Sequence, residues 1–187
     1  MAGRADARRR GSGPVEHHRR GRTDRFVDPQ GLVTVLNAPA AVVDLDGDGD
    51  YQLSARVDVD FGADYDAGAL LLWADAGHFA KLCFEISPQG RPMVVSVVTR
   101  GVSDDANAFL VEGCGVWLRV SRLGSSYVFH ASTDGKWWDI VRYFALGSAE
   151  PVAVGFHVQS PVGEGCRAAF SDIRFVPQRL ADPRDGS

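Results

Sequence analysis

The chain has 187 residues, 45% of them hydrophobic and 24% charged, with a net charge of −4, enough ordinary globular sequence for one domain with a sizeable core. No run reaches the about 18 apolar residues of a membrane span, and no apolar segment follows the N-terminal arginines, so the expectation is a cytoplasmic protein without membrane contact. Eight arginines face three acidic residues within positions 1–25, a net of +5 that leaves −9 on the remainder; so acidic a body binds polyanions poorly, and no nucleic-acid partner is expected.

In chain order, residues 1–22 are rich in Arg, Gly and His, with His17 and His18 among them, and lack apolar periodicity. They are expected to form a disordered tail. From residue 23 onward, β-rich runs alternate with turn clusters, at 32–36, 51–61, 68–74, 79–87, 93–100, 108–111, 116–122, 127–133, 138–144, 151–159 and 166–175. Between them lie Asp46-Gly47-Asp48-Gly49, Pro88-Gln89-Gly90, Gly124-Ser125-Ser126, Thr133-Asp134-Gly135-Lys136 and Gly163-Glu164-Gly165, the residue types that tight hairpins require. The pattern predicts an all-β, antiparallel two-sheet β-sandwich over residues 23–177 and a C-terminal tail at 178–187.

Alternation assigns faces, because neighbouring side chains in a strand point to opposite sides. Ala80, Leu82, Phe84 and Ile86 make one apolar face, opposed by the mixed set Phe79, Lys81, Cys83 and Glu85. Tyr127, Phe129 and Ala131 oppose Val128, His130 and Ser132, while Trp138, Ile140, Arg142 and Phe144 put an arginine among large apolar groups, where it needs a partner. Lys81, Glu85, Arg119, His130 and Arg142, joined by His157 or Gln159, are expected to gather on one polar face.

Glu85 is a weak candidate for a general acid or base, tuned by Lys81, Arg119 or His130. Glycoside hydrolysis needs two carboxyl groups at a defined separation, and no second acid stands at strand spacing from Glu85. Ser103-Asp104-Asp105-Ala106-Asn107 reads as a turn, or as a rim loop that touches sugar hydroxyls. Asp44-Leu45-Asp46-Gly47-Asp48-Gly49-Asp50 opens like a calcium loop but has Ala55 at position 12, so an acidic turn is expected rather than a metal site. Trp73 and Trp137 are the exposed stacking candidates, with Trp138 expected in the core. Cys83, Cys114 and Cys166 are odd in number and lack CxxC spacing, which predicts free thiols in a reducing compartment. No P-loop, dinucleotide fingerprint or Ser-His-Asp order occurs, and no cofactor is expected.

These residues carry a family resemblance. It rests on Thr23-Asp24-Arg25-Phe26-Val27-Asp28-Pro29, Tyr65-Asp66-Ala67-Gly68-Ala69-Leu70, Phe79-Ala80-Lys81-Leu82-Cys83-Phe84-Glu85, residues 94–100 followed by Ser103-Asp104-Asp105-Ala106-Asn107, Trp117-Leu118-Arg119, Ser132-Thr133-Asp134-Gly135, residues 138–142 and Gln159-Ser160-Pro161 with Gly163-Glu164-Gly165-Cys166. From about residue 23 to its end, the chain resembles the regulation-of-enolase family of concanavalin A-like domains. The resemblance implies a jelly-roll sandwich with a polar concave face and no established reaction. Similar proteins look as if they begin with a Trp-containing strand where residues 1–22 stand here. That strand is therefore expected to be missing, which leaves an exposed edge open to self-association.

The expected function is lectin-like binding of a carbohydrate or small polar metabolite on the concave face by Lys81, Glu85, Thr99, Asp104, Asn107, Arg119, His130 and Arg142. A saccharide-acting hydrolase using Glu85, or a regulatory partner of a metabolic enzyme, is the alternative.

Overall fold

The computed structural model describes residues 15–18, 21–45 and 49–187. Two six-stranded antiparallel sheets face each other. The first has the order β1 (Val15–His18), β14 (Arg167–Val176), β5 (Tyr51–Asp60), β10 (Gly115–Leu123), β11 (Ser126–Ser132) and β12 (Asp139–Ala145). The second runs β4 (Ala40–Val43), β13 (Ala153–Gln159), β6 (Ala67–Asp75), β7 (His78–Ile86), β8 (Pro92–Arg100) and β9 (Val102–Leu110). A separate hairpin, β2 (Arg25–Val27) and β3 (Thr34–Leu36), lies on the second sheet, where the Val27 amide donates to Ser103 Oγ at 2.9 Å.

Period-2 sequence produces this packing. In β5, Tyr51, Leu53, Ala55, Val57 and Val59 are buried while the residues between them are only partly so, and they meet Leu70, Leu72, Leu82, Phe84, Val94 and Val98 of the other sheet in one core. Gly68 sits at a close approach of the two sheets: a Cβ there would stand 2.8 Å from Val57 Cγ1 and Ala168 Cβ. In β6, Ala67 through Leu72 are buried on both faces, because the hairpin covers the outer one. A second, smaller apolar cluster of Ala67, Ala69, Cys83, Val95 and Val97 lies there, with Phe26 packed upon it.

Several expectations need correction. Val15–His18 is a strand paired with β14, so the N-terminal segment is not wholly a tail and the edge beside β14 is covered; a sheet edge recruits a neighbour through backbone groups, without an apolar pattern. Residues 1–14, 19 and 20 of that tail, together with Asp46, Gly47 and Asp48 of the acidic loop, fall outside the described residues. The Ser103–Asn107 cluster is neither turn nor rim loop but mid-strand in β9, an edge strand whose exposure allows polar residues throughout. Residues 178–187 pack against the first sheet: Leu180 is buried with Leu123 and Val128, and the carbonyls of Pro183 and Gly186 accept hydrogen bonds from His130 and Arg119. All three cysteines are free thiols, as expected. No helix of the described residues is long and apolar enough to cross a membrane.

Candidate functional site

Between the hairpin and the outer face of the second sheet lies a groove of about 790 Å³. Alternation in β7 and β8 points Lys81, Glu85, Val95 and Val97 into it; Phe26, Val33 and Val35 of the hairpin form its roof, and Tyr65, Pro161 and Val162 its open side. The walls are therefore largely apolar, and the polar groups collect on the floor.

Lys81 holds that floor together. Its Nζ, 1% exposed as a residue, donates to Asp24 Oδ1 at 2.8 Å and to Gln159 Oε1 at 2.7 Å. Burial alone would lower the affinity of this amine for its proton, but the Asp24 carboxylate, through its charge and its hydrogen bond, more than offsets burial and holds it above the usual lysine value. Gln159 Oε1 is also within 3.2 Å of His157 Nε2. With its oxygen engaged by Lys81, Gln159 turns its amide nitrogen to the Tyr65 carbonyl at 3.2 Å and to Glu85 Oε2 at 3.5 Å. Burial pushes Glu85 up to about 8, with Lys81 opposing the shift and Asp24 and Asp105 adding to it. Burial likewise holds His157 down at about 3, so it stays neutral.

Local structure places the remaining groups. The Asp66 carboxylate accepts from the amides of Gly62 and Ala63, each at 2.9 Å, and folds a tight loop that leaves Tyr65 at φ +66°, a left-handed conformation uncommon for a tyrosine. Arg25, beside Asp24, stacks over Trp73 at 4.4 Å, and Trp73 stacks on Phe79; Trp73 thus anchors the hairpin and is not a free platform.

The expected convergence of eight residues on one face does not occur. Lys81 and Glu85 line the groove. Thr99 shares their face but lies fully buried under the hairpin, 2.8 Å from Ser103 Oγ. Asp104 accepts from Arg142 at 2.9 Å, and Arg142 also donates to the Asp104 carbonyl at 3.0 Å; the pair clasps β9 of one sheet to β12 of the other. A bulge opposite Phe129 and His130 shifts the alternation of β12, which is how Arg142 comes to face that edge. Asn107 is exposed on β9 and does not line the groove.

Arg119 and His130 stand on the outer face of the other sheet, beneath residues 178–187. Trp138 is there too, 4.3 Å from the Arg119 guanidinium, and not in the core. Burial lowers Arg119 to about 10 and His130 to about 4. Within-strand alternation cannot say which of two sheets a polar face belongs to, and that is the reason for the error.

The groove residues that face assignment missed are Asp24, Phe26, Tyr65 and Asp105. A signal for all four was present: the segments that carry the family resemblance at 23–29, 65–70, 79–85, 103–107 and 159–161 all meet at this groove. Asp24, just before β2, and Asp105 on β9 also supply acidic neighbours to Glu85 from outside its own strand, which spacing along β7 could not show.

Fold and site together define a two-sheet antiparallel β-sandwich with a hairpin-roofed groove on one outer face. The chain belongs to the family described as "Protein of unknown function (DUF1349)", whose pattern it matches over residues 6–178. It is 29% identical over 123 residues to the "Regulation of enolase protein 1" of Saccharomyces cerevisiae, a match that covers 65% of this chain and 62%, under two thirds, of that protein. A solved structure described as a functionally unknown protein from Saccharomyces cerevisiae superposes with a TM-score of 0.78 at 24% identity, covering 90% of each chain. The GH43 protein BlXynB of Bacillus licheniformis (TM-score 0.72, 15% identity, 89% of this chain and 33% of that one) and a xylan beta-1,4-xylosidase of Bacillus halodurans (0.68, 12%, 85% and 32%) are similar over about a third of their lengths. At these identities the structural likeness shows the fold alone.

Proposed function

We propose that this chain is a binding module that takes a small hydroxylated ligand, of the saccharide class, in the groove under the β2–β3 hairpin. The observation that carries the reading is the make-up of the groove: apolar and aromatic walls from Phe26, Val95, Val97 and Tyr65 around a floor of Glu85, Asp105 and Gln159. Ligand sites are concave, mostly apolar and furnished with a few fixed polar groups. Gln159 is fixed by Lys81 and His157, so the floor is preorganised and loses little freedom on binding. The likeness of the fold to a region of two proteins described as a GH43 protein and a xylan xylosidase makes xylo-oligosaccharides the first probes to use. Three free thiols support a reducing compartment, and we place the protein in the cytoplasm on that ground.

A thermal-shift screen of saccharides and polyols, followed by calorimetry with xylotriose, tests the reading. Val97→Trp, which fills the groove, abolishes binding, whereas Trp137→Ala, at a site 70% exposed and outside the groove, leaves it unchanged. Binding that survives Val97→Trp contradicts the assignment.

A second reading, acid–base chemistry on such a ligand, is favoured by one observation: Glu85 retains its proton near neutrality, and a second carboxyl group, that of Asp105, lines the same groove. Release of sugar from an aryl xyloside that is lost in Glu85→Gln would establish it.

A further inference from the structure

The hydrogen-bond order on the groove floor restricts the ligand further than shape does. Gln159 Oε1 is held by Lys81 Nζ at 2.7 Å and lies 3.2 Å from His157 Nε2; an oxygen so placed leaves the amide no reason to flip, and its NH₂ must face Tyr65 O and Glu85 Oε2. One oxygen of Glu85 thus meets a donor inside the protein, and the other carboxyl oxygen is left to the groove. The charged and titratable groups around it are Lys81 and Cys83 on its own strand, Asp24 on the hairpin, Asp105 on β9, His157 on β13 and Arg22, exposed at the mouth. The charge of Lys81 is matched by Asp24 at 2.8 Å.

We infer that the groove takes an uncharged ligand that offers an acceptor oxygen, with Glu85 in its acid form donating to it, and that Gln159 is the residue that sets this selection by turning its amide nitrogen to the inner oxygen. The inference rests on the groove reading above and names the chemistry of its ligand. A ligand that fills an apolar groove strips the remaining water from Glu85, and desolvation favours the neutral carboxyl. The same geometry works against the other two charge classes. An amine requires Glu85 to ionise in an apolar setting, and an anion meets Asp24 and Asp105 where the floor's cation among the described residues, Lys81, is already paired with Asp24. Burial already pushes Glu85 up to about 8, so the protein enters binding near neutrality with the proton in place.

Calorimetry with xylotriose, on the full chain at pH 6.5 and pH 9.5, is the test, with circular dichroism confirming the fold at both. The association constant of the wild type falls at least about five-fold at pH 9.5, since a single linked proton costs up to tenfold per pH unit above its midpoint. Near pH 8 the heat depends on the buffer because a proton is taken up. Glu85→Gln, whatever its affinity, shows the same value at both pH values. Gln159→Leu, which removes a donor that favours the charged carboxylate, moves the midpoint of the pH profile upward, a change that mere loss of packing would not produce. Wild-type affinity that is flat or rises with pH overturns the inference while leaving the groove reading standing; so does glucosamine, cationic at pH 6.5, binding more tightly than xylotriose at that pH. Absence of any saccharide or polyol binding at either pH overturns the groove reading and this inference with it.

Discussion

Lys81 Nζ lies 2.8 Å from Asp24 Oδ1 across 57 residues of sequence, and this ion pair ties the roof of the groove to its floor. Breaking a buried pair from one side leaves an uncompensated charge, which costs about 3–5 kcal/mol. Lys81→Met strands the partly buried Asp24 and removes a donor from Gln159, and is expected to lower stability by about that amount in urea unfolding. Asp24→Asn keeps a hydrogen-bond acceptor for the amine and should cost less. Equal, sub-kilocalorie effects of both changes would show that the pair does not hold the hairpin.

Three groups give the pH dependence two opposite signs. Glu85 is raised to about 8 from an unfolded value of about 4.3, so between those values the folded state holds a proton the unfolded state has lost, and stability falls as pH rises. His157 and His130 are lowered to about 3 and about 4 from about 6.5; in that window the unfolded state holds the extra proton, and stability falls as pH drops. Glu85→Gln should therefore be more stable than the wild type at pH 8.5, on the order of 2 kcal/mol, with the gap closing towards pH 4. His130→Gln should flatten the acid limb. Unfolding curves at pH 4, 6 and 8.5 check both signs.

Leu180 is 2% exposed and packs against Leu123 and Val128, so residues 178–187 are part of the folded unit. Leu180→Ala should cost at least about 2 kcal/mol, the lower end for a buried leucine, and should raise amide exchange along β10 and β11. An unchanged melting temperature would return this segment to the status of a tail.

Alternation made most strands and the inward faces legible: Ala80, Leu82 and Phe84 are in the core as read. It was silent on long-range partners, because parity within β7 and β10 is a local property whereas membership of a sheet is set by pairing. Lys81 and Arg119 therefore looked alike in sequence and lie on opposite outer faces. Short elements escaped for a different reason. Arg25–Val27 and Ala40–Val43 are three and four residues long, too brief for periodicity to register, and Asp24 entered through a quoted motif rather than through any face. β9 was misread because an edge strand exposed along most of its length has no apolar alternation to show.

Tyr65 holds φ +66° at the groove, a conformation that costs a non-glycine residue about 1–2 kcal/mol. Tyr65→Gly removes that strain and the ring together. Saccharide binding should be lost while stability is retained or raised, as melting and titration of the same sample would show. Lost stability with intact binding would mean that the ring serves packing alone.

The most direct test of the account is to map ligand-induced NMR shifts on the labelled full chain with xylotriose at pH 6.5. The account predicts perturbations at Phe26, Tyr65, Glu85, Val95, Val97 and Gln159, with Arg119, His130 and Trp138 unmoved. Shifts centred on Arg119 and Trp138, or no shift at the groove residues with saturating sugar, would contradict it.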